Sequence, residues 1–177
     1  FAELDETVFT FRERALRDGI EVKYSIPEVP AIANADANRL KQVFMNILDN
    51  ALKYSRSPSK IFVKAEFTKL DNQNFVKIAI ADQGCGISKE DLPHVKEKFY
   101  KANVSVRGSG IGLAVTNEIV NLHHGKLEID SQEGKGTLVT IYLPVENSPT
   151  KNELNDMKQN ETVQDAEINE GVEINKN

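Results

Sequence analysis

Residues 38–55 read NRLKQVFMNILDNALKYS and decide the fold, because they carry the clearest helical pattern in the chain. At about 100° of turn per residue their apolar side chains form one stripe, which predicts an amphipathic helix facing a core. Either Asn34 or Asp36 suits its N-cap. Asn46, Asn50 and Lys53 fall together beside the stripe, where two amides and a lysine can meet a metal ion and phosphate. The stripe consists of Leu40, Val43, Phe44, Ile47, Leu48 and Ala51.

The composition describes a chain with a real core and an acidic end. Of the 177 residues, 40% are hydrophobic, which suits one domain with an appendage. Eight of the 27 acidic residues but only three of the 22 basic ones lie in residues 146–177, so this segment carries the net charge of −5. The balanced remainder gives no support to nucleic-acid binding. We expect a domain over residues 1–145 and an acidic, disordered tail over residues 146–177.

The scarcity of cysteines and of long apolar runs indicates the cellular setting. One cysteine, Cys85, excludes an internal disulfide and favours a reducing compartment. No apolar run approaches the roughly 18 residues of a membrane-spanning helix, and no signal peptide is visible. We therefore expect a soluble, cytoplasmic domain. Because the first residue is Phe1 and not Met, we also expect a piece of a longer protein.

The remaining segments predict a sheet. A short helix over residues 5–18 ends at Gly19, and alternating apolar residues then predict strands. Two of these strands form a hairpin around the polar turn at residues 71–74. The pattern predicts an α+β fold, with helices packed on one face of a mostly antiparallel sheet. The predicted strands cover residues 20–26, 61–67, 75–81, 126–130 and 137–144.

A carboxylate followed by two glycines ends the third predicted strand, in the run Asp82-Gln83-Gly84-Cys85-Gly86-Ile87. Glycines let the backbone come close to a ligand, and the acid can accept hydrogen bonds from an exocyclic amine. The alternative is a tight turn with a solvated acid. Cys85 gains no special reactivity from this pattern and is interpreted as structural.

A second glycine-rich run, GSGIGL at residues 108–113, begins another predicted helix. Glycines at a helix start leave N–H groups for phosphate oxygens, aided by the helix dipole. The spacing and context exclude both the dinucleotide fingerprint G-x-G-x-x-G and the loop G-x-x-x-x-G-K-[ST]. Just upstream, residues 97–101 interleave aromatic and basic side chains, and residues 103–107 predict a mobile loop.

The order of these motifs resembles the catalytic, ATP-binding domain of bacterial sensor histidine kinases, over about residues 1–145. This family lies in the GHKL superfamily with gyrase, a heat-shock chaperone and mismatch-repair ATPases. The resemblance implies a two-layer sandwich of the Bergerat type. It rests on NILDNALKYS at residues 46–55, ADQGCGI at 81–87, EKFYKA at 97–102 with RGSGIGLAV at 107–115, and EGKGT at 133–137.

The resemblance implies ATP and Mg²⁺ as cofactors and gives residues their roles. Asn50 is implied to ligate Mg²⁺, with Asn46 assisting at the metal or phosphate and Lys53 contacting phosphate. Asp82 is implied to accept a hydrogen bond from the adenine amino group. Lys98, Tyr100, Lys101 and Arg107 are implied to close over the phosphates as groups of a mobile loop. Other nucleotide contacts are implied for Tyr54, Gly84, Gly86, Ile87, Gly108, Gly110, Ile111, Gly112, Leu113 and Thr137.

The residue at position 46 bears on the reaction. In the superfamily's ATPases this position usually holds a glutamate that activates water, whereas here it is Asn46. An amide cannot act as that base, so we predict an ATP-dependent protein-histidine kinase that transfers the γ-phosphoryl group. Two alternatives stay open, a non-catalytic nucleotide-binding regulatory module and a clamp-type ATPase.

The acceptor is expected to lie outside this chain. His94, His123 and His124 do not lie in the family's motif H-[ED]-x-x-[TN]-P and are interpreted as structural or surface groups. The implied partners are the dimerisation and histidine-phosphotransfer helices of a parent kinase and a response regulator receiver domain, with no nucleic acid. We expect this domain to be monomeric and its parent to be a homodimer, with an inner-membrane sensor as one setting. Lys96 departs from the family, which usually has phenylalanine there.

Overall fold

The chain folds as a five-stranded sheet with helices, in a computed structural model that describes residues 1–102, 109–150, 153 and 163–173. The helices are α1 (Ala2–Arg17), α2 (Ala37–Tyr54), α3 (Gly112–Leu122) and α4 (Val163–Glu173). The strands are β1 (Ile20–Ser25), β2 (Ser59–Leu70), β3 (Gln73–Asp82), β4 (Lys126–Gln132) and β5 (Gly136–Pro144). Their spatial order is β1-β2-β3-β5-β4, with β1 parallel to β2 and every other neighbouring pair antiparallel. The predicted α+β class is confirmed.

Helix α2 forms where the sequence predicts it. Its N-cap is Asp36, whose side chain accepts the backbone N–H of Arg39 at 3.1 Å. The whole predicted stripe is buried, and Leu52 joins it. The edge beside the stripe stays partly exposed, which leaves Asn46 and Asn50 available to a ligand. None of the helices in the described ranges is both long and apolar enough to span a membrane.

The first three helices cover one face of the sheet. Apolar residues of α1 and α2 pack in one cluster with Ile61, Val63 and Ile80 of the central strands. His123, just after α3, donates from Nδ1 to the Ile119 carbonyl at 2.8 Å and accepts the Asp36 N–H at Nε2 at 2.9 Å. The end of α3 therefore lies at the start of α2, so the glycine-rich start of α3 lies farther along α2.

Helix α4 packs on the opposite face of the sheet. Ile168 is fully buried in a second cluster with Phe62, Ala79, Ala81 and Leu138. A Cβ on Gly171 would come within 2.5 Å of the Phe62 ring, so this close approach needs glycine. Glu167 pairs with Lys60 and lies 3.6 Å from Lys23.

The helix at Val163–Glu173 differs from the disorder predicted for residues 146–177. Within this acidic composition the structure describes a buried apolar residue in the helix, Ile168, with an acid beside it in the sequence. The strands supply the matching surface, an apolar strip flanked by two lysines. Because that surface lies about a hundred residues away in the sequence, the tail alone gives no periodic signal.

We predict that Ile168→Asp separates α4 from the sheet without unfolding the domain. A charge in a fully buried apolar cluster is costly, and an isolated 11-residue helix is marginal in water. The amides of α4 should lose their hydrogen-exchange protection while those of β2 and β3 keep theirs. The control is Glu170→Ala on the exposed side of the same helix, which should leave protection unchanged. Full protection of α4 in Ile168→Asp would contradict the docking described.

Candidate functional site

A cavity of about 430 Å³ opens between α2, the start of α3 and the adjoining ends of β3 and β5. Most of the residues predicted for the site lie in its walls. Several of them come from segments far apart in the sequence, so the fold assembles one site from the four motifs. The predicted residues in the walls are Asn46, Asn50, Lys53, Tyr54, Asp82, Gly86, Ile87, Tyr100, Lys101, Gly110, Gly112, Leu113 and Thr137.

The polar edge of α2 forms one wall. The amide nitrogen of Asn46 lies 3.5 Å from the Gly112 carbonyl oxygen and 3.4 Å from Thr116 Oγ1, so its nitrogen faces α3. Asn50 follows one helical turn later and is half-buried. Lys53 is exposed, with Nζ 4.9 Å from the centre of the Tyr54 ring. The amides and the lysine thus line the cavity in the order that their spacing predicts.

Asp82 places a buried carboxylate in the cavity at the end of β3. Its side chain accepts the N–H of Gly84 at 2.8 Å and that of Thr137 at 3.2 Å, both at Oδ1. Burial raises the pKa of Asp82 to about 6, although these two N–H groups act in the lowering direction. The group is therefore ionised at neutral pH and can accept hydrogen bonds from a ligand.

The glycines beside Asp82 differ in what they contact. A Cβ on Gly84 would lie 2.6 Å from the Tyr54 carbonyl oxygen, and the Cys85 N–H donates to that same oxygen at 3.2 Å. Gly84 thus lets the turn pack on the end of α2 and is not among the residues of the cavity wall. Gly86 does line the cavity. The close approach that requires Gly84 is to the protein backbone, whereas the motif alone suggested approach to a ligand.

A hydroxyl pair supports the same end of the cavity. Ser131 Oγ accepts the N–H of Ile87 at 2.8 Å and lies 3.0 Å from Thr137 Oγ1. It also donates to the Gly136 carbonyl at 2.8 Å. Ser131 therefore joins β4, β5 and the turn after β3, and it keeps Ile87 and Thr137 in the wall.

The glycine-rich start of α3 meets the aromatic run upstream of it. The N–H of Phe99 donates to the Gly110 carbonyl at 2.9 Å. Gly112 and Leu113 line the cavity, whereas Ile111 precedes the helix outside its walls. This hydrogen bond places Gly110 beside Phe99. The predicted residues Arg107 and Gly108 lie outside the described residues.

Of the three residues of the aromatic and basic run that are predicted for the site, two line the cavity and one does not. Tyr100 and Lys101 line it. Tyr100 Oη donates to Asp91 Oδ1 at 2.5 Å, and this hydrogen bond raises the pKa of Tyr100 and lowers the pKa of Asp91. Lys98 instead lies 3.7 Å from Glu118 of α3 and is not part of the cavity wall.

Lys96 fixes the same run to the sheet. Its Nζ donates to the Leu127 carbonyl of β4 at 2.7 Å, and burial lowers the pKa of Lys96. A lysine stem can pack along apolar surface while its ammonium group reaches a polar partner. Lys96 therefore holds the aromatic and basic run against β4 through this hydrogen bond.

The cavity also contains residues that the motifs did not predict. Arg14 and Asp49 lie in its wall and form an ion pair at 2.6 Å. Cys85, interpreted from the sequence as structural, is exposed in the wall. The alternation of apolar residues along β3 and β5 could have predicted that Ile80 and Val139 face the cavity. Nothing in the sequence of α1 marks Arg14 as a residue of the site. Further unpredicted wall residues are Val95, Ala102, Ser109 and Ile129.

The three histidines do not line the cavity. His94 Nδ1 lies 2.8 Å from Glu97, and His123 holds α3 against α2. His124 is exposed. These positions agree with their interpretation as structural or surface groups.

Residues 35–147 match the family described as histidine kinase-, DNA gyrase B-, and HSP90-like ATPase. Among curated proteins, the sensor protein kinase WalK of Staphylococcus epidermidis is 34% identical over 76% of this chain and 22% of its own length. The sporulation kinase E of Bacillus subtilis is 39% identical over 68% of this chain and 15% of its own length. The chain thus spans less than a quarter of the length of these relatives.

Solved structures agree with the sequence matches. The mycobacterial sensor histidine kinase MprB aligns with a TM-score of 0.68 and 29% identity, over 83% of this chain and 96% of that one. The full-length protein ShkA, in complex with AMPPNP, aligns with a TM-score of 0.71 over 84% of this chain and 30% of that one. At 22% identity this second likeness concerns the fold. The chain belongs to the family of histidine kinase-, DNA gyrase B- and HSP90-like ATPases, as a catalytic, ATP-binding domain of the sensor histidine kinase type.

Proposed function

We propose that this domain binds ATP with Mg²⁺ in the cavity and transfers the γ-phosphoryl group to a histidine on a separate helical hairpin. The observation that carries the proposal is the polarity of the cavity. A buried carboxylate, Asp82, lies at one end, and the Asn46 amide lies with the glycine-rich start of α3 at the other. An adenine at the acid and phosphates at the glycines fit this polarity.

Among the described residues at the adenine end, Asp82 is a charged acceptor in largely apolar surroundings. Asp82 can accept the exocyclic amino group of adenine, while Ile87 and Val139 offer apolar surface to the ring. Thr137 lies beside the acid and brings a hydroxyl to the same end. A base with an exocyclic amino group, such as adenine, can donate to this buried carboxylate.

The phosphate end combines helix geometry with cations. The first N–H groups of α3 have no partner within the helix, and the helix dipole favours negative charge at this end. Asn46 contacts Gly112 there, so α2 and α3 meet at the place where the triphosphate is proposed to lie. Lys53 and Lys101 line the same cavity and supply positive charge.

Magnesium fits this site only together with the nucleotide. Among the described residues, no group of three or more His, Cys, Asp or Glu side chains could hold a metal ion. Mg²⁺ commonly takes a few protein oxygens and completes its shell with phosphates and water. Asn50 would supply an amide oxygen, and Asn46 would assist. The ion's contribution when bound is to neutralise charge on the phosphates during transfer.

Transfer fits the residues better than hydrolysis does. The nitrogen of Asn46 faces Gly112 and Thr116, and an amide cannot take a proton from water. The carboxylates in the described cavity walls are Asp49, which pairs with Arg14, and Asp82, which lies at the adenine end. A positioned nucleophile from another segment therefore suits the site, because phosphoryl transfer depends mainly on positioning and charge neutralisation.

The same proposal includes the phosphoryl acceptor and the parent protein. The three histidines of this chain lie outside the cavity, so the nucleophile is proposed to come from the dimerisation and phosphotransfer helices of a parent kinase. From there the phosphoryl group would pass to a response regulator receiver domain. We propose that the parent is a homodimer and that this domain works on the cytoplasmic side, with an inner-membrane sensor as one arrangement.

Phosphotransfer to an added acceptor tests the proposal. The chain is incubated with γ-labelled ATP, Mg²⁺ and a dimerisation hairpin carrying the motif H-[ED]-x-x-[TN]-P, and label on the hairpin is measured. We expect acid-labile label that is lost when the acceptor histidine is changed to glutamine. Asn50→Ala should abolish most of the transfer and remove the magnesium-dependent part of ATP binding. ATP binding without transfer would favour a regulatory module, and rapid phosphate release without hairpin would favour a clamp-type ATPase.

Asp82→Asn should lower the affinity for ATP by about ten- to a hundredfold at pH 7.5, the value of a hydrogen bond to a charged group. Asparagine keeps an oxygen for the Gly84 and Thr137 N–H groups but offers an NH₂ donor in place of the second carboxylate oxygen. Calorimetric titration measures the loss. Asp130→Asn, the same change at an exposed position of β4, is the control and should bind ATP normally. Unchanged affinity in Asp82→Asn would remove Asp82 from the adenine contact.

The raised pKa of Asp82 predicts a pH-dependent cost to folding. Its pKa is 3.8 in the unfolded chain and about 6 in the fold, so the native state binds the proton more tightly. The stabilisation of the protonated form is present below about pH 4 and is lost as pH rises through 6. Relative to Asp82→Asn, the wild-type protein should lose roughly 2 kcal/mol of unfolding free energy between pH 4.5 and 7.5. Urea unfolding of both proteins between pH 4.5 and 7.5 measures the difference, and parallel curves would contradict a buried carboxylate.

A further inference from the structure

Arg14 is a cation of the cavity that none of the sequence motifs contains. It lies in the last turn of α1, outside the residues 35–147 that match the family. Its Nη1 donates to Asp49 Oδ1 at 2.6 Å, and both side chains line the cavity. Their side chains are 54% and 42% exposed, so the pair borders both the cavity and solvent.

The position of Asp49 on α2 places Arg14 between the two ends of the cavity. Asp49 directly precedes Asn50 and lies one helical turn before Lys53. Tyr54 contacts the turn after Asp82, so the adenine end lies at the end of α2. Asn46 is about 12 Å back along the helix and meets Gly112. Asp49 therefore holds the guanidinium group near the middle of this span, on the flank that it shares with Lys53.

The chemistry of the side chain suits phosphate. A guanidinium group presents several N–H donors in a planar fork that matches phosphate oxygens, and it stays charged at all working pH values. An exposed ion pair such as Arg14–Asp49 contributes little to stability, so fold stability alone gives a weak reason for it. A triphosphate entering the cavity would offer the guanidinium more negative charge than one carboxylate does.

A second ion pair between the same two helices shows what a merely structural pair looks like. Lys41 of α2 lies 2.6 Å from Glu6 of α1, the same distance as in the Arg14–Asp49 pair. Both pairs link residues 35 positions apart. The pair of Glu6 and Lys41 is outside the cavity wall, whereas both members of the other pair are in it. Lys41 is therefore a matched control for Arg14.

We propose that Arg14 is a phosphate-binding residue of this domain, held ready by Asp49 and contacting the β- or γ-phosphate of bound ATP. This inference rests on the proposed ATP site. It assigns α1 a part in the nucleotide site, besides its packing against α2 through Leu4, Val8 and Phe11. Arg14 would supplement Lys53 and favour nucleotides with long phosphate chains over AMP.

Calorimetric titration of ATP and AMP, each with Mg²⁺, into four proteins tests this inference. The proteins are the wild type, Arg14→Ala, Arg14→Lys and Lys41→Ala. Arg14→Ala should lower the affinity for ATP about tenfold and that for AMP less than twofold, because AMP lacks the contacted phosphates. Arg14→Lys should recover part of the ATP affinity, and Lys41→Ala should bind like the wild type. Far-UV circular dichroism checks that each variant keeps its helices.

The outcomes separate this inference from the proposed function. Wild-type protein that binds neither nucleotide overturns the ATP site itself, and the role of Arg14 with it. Wild-type binding of ATP with an unchanged ATP-to-AMP ratio in Arg14→Ala overturns the role of Arg14 alone. An equal loss for both nucleotides, or an equal loss in Lys41→Ala, would mean that the ion pair acts only on helix packing. A selective loss for ATP supports the contact.

Discussion

A carboxylate buried at the end of a strand is the constraint on which the site depends. A charge in such a place is costly unless it is hydrogen-bonded, and Asp82 meets N–H groups from Gly84 and Thr137. One of these belongs to the turn after β3 and the other to β5, so the turn and both strand ends must be arranged together. Because these hydrogen bonds do not fully offset the desolvation of the charge, the pKa of Asp82 is raised to about 6. The fold therefore places a carboxylate with a raised pKa where a ligand can donate a hydrogen bond to it.

Helix α2 sets the length and direction of the site. Its buried stripe fixes the rotation of the helix against the sheet, and that rotation turns Asn46 and Asn50 toward the cavity. Its end contacts the turn after Asp82 through the Tyr54 carbonyl, and its middle contacts Gly112. The same packing that stabilises the domain therefore determines the distance between Asp82 and the glycine-rich start of α3.

Features with a local pattern could be predicted from the sequence, and features that depend on how elements cross could not. The stripe of α2 and the glycines after Asp82 are local, since neighbours within a few residues carry the signal. The pairing of Arg14 with Asp49 depends on the crossing of α1 and α2, and nothing in the sequence of α1 marks it. For Gly84 the residue was predicted but its contact was not, because the Tyr54 backbone that it approaches belongs to another element. Lys98 was predicted at the phosphates but pairs with α3, since an alternation of basic and aromatic residues does not fix which side chains face inward.

The alternation of β3 separates the cavity from the docking surface of α4. Ile80 and Asp82 point to the face that carries the cavity, whereas Ala79 and Ala81 contribute to the cluster around Ile168. Two hydrogen bonds of the Asp82 side chain that the structure describes come from β5 and from the turn after β3. Detachment of α4 would therefore expose an apolar strip without removing a wall of the cavity. Among the described residues the cavity wall includes none from α4, so the two faces of the sheet share β3 while the cavity and the docking of α4 depend on different side chains.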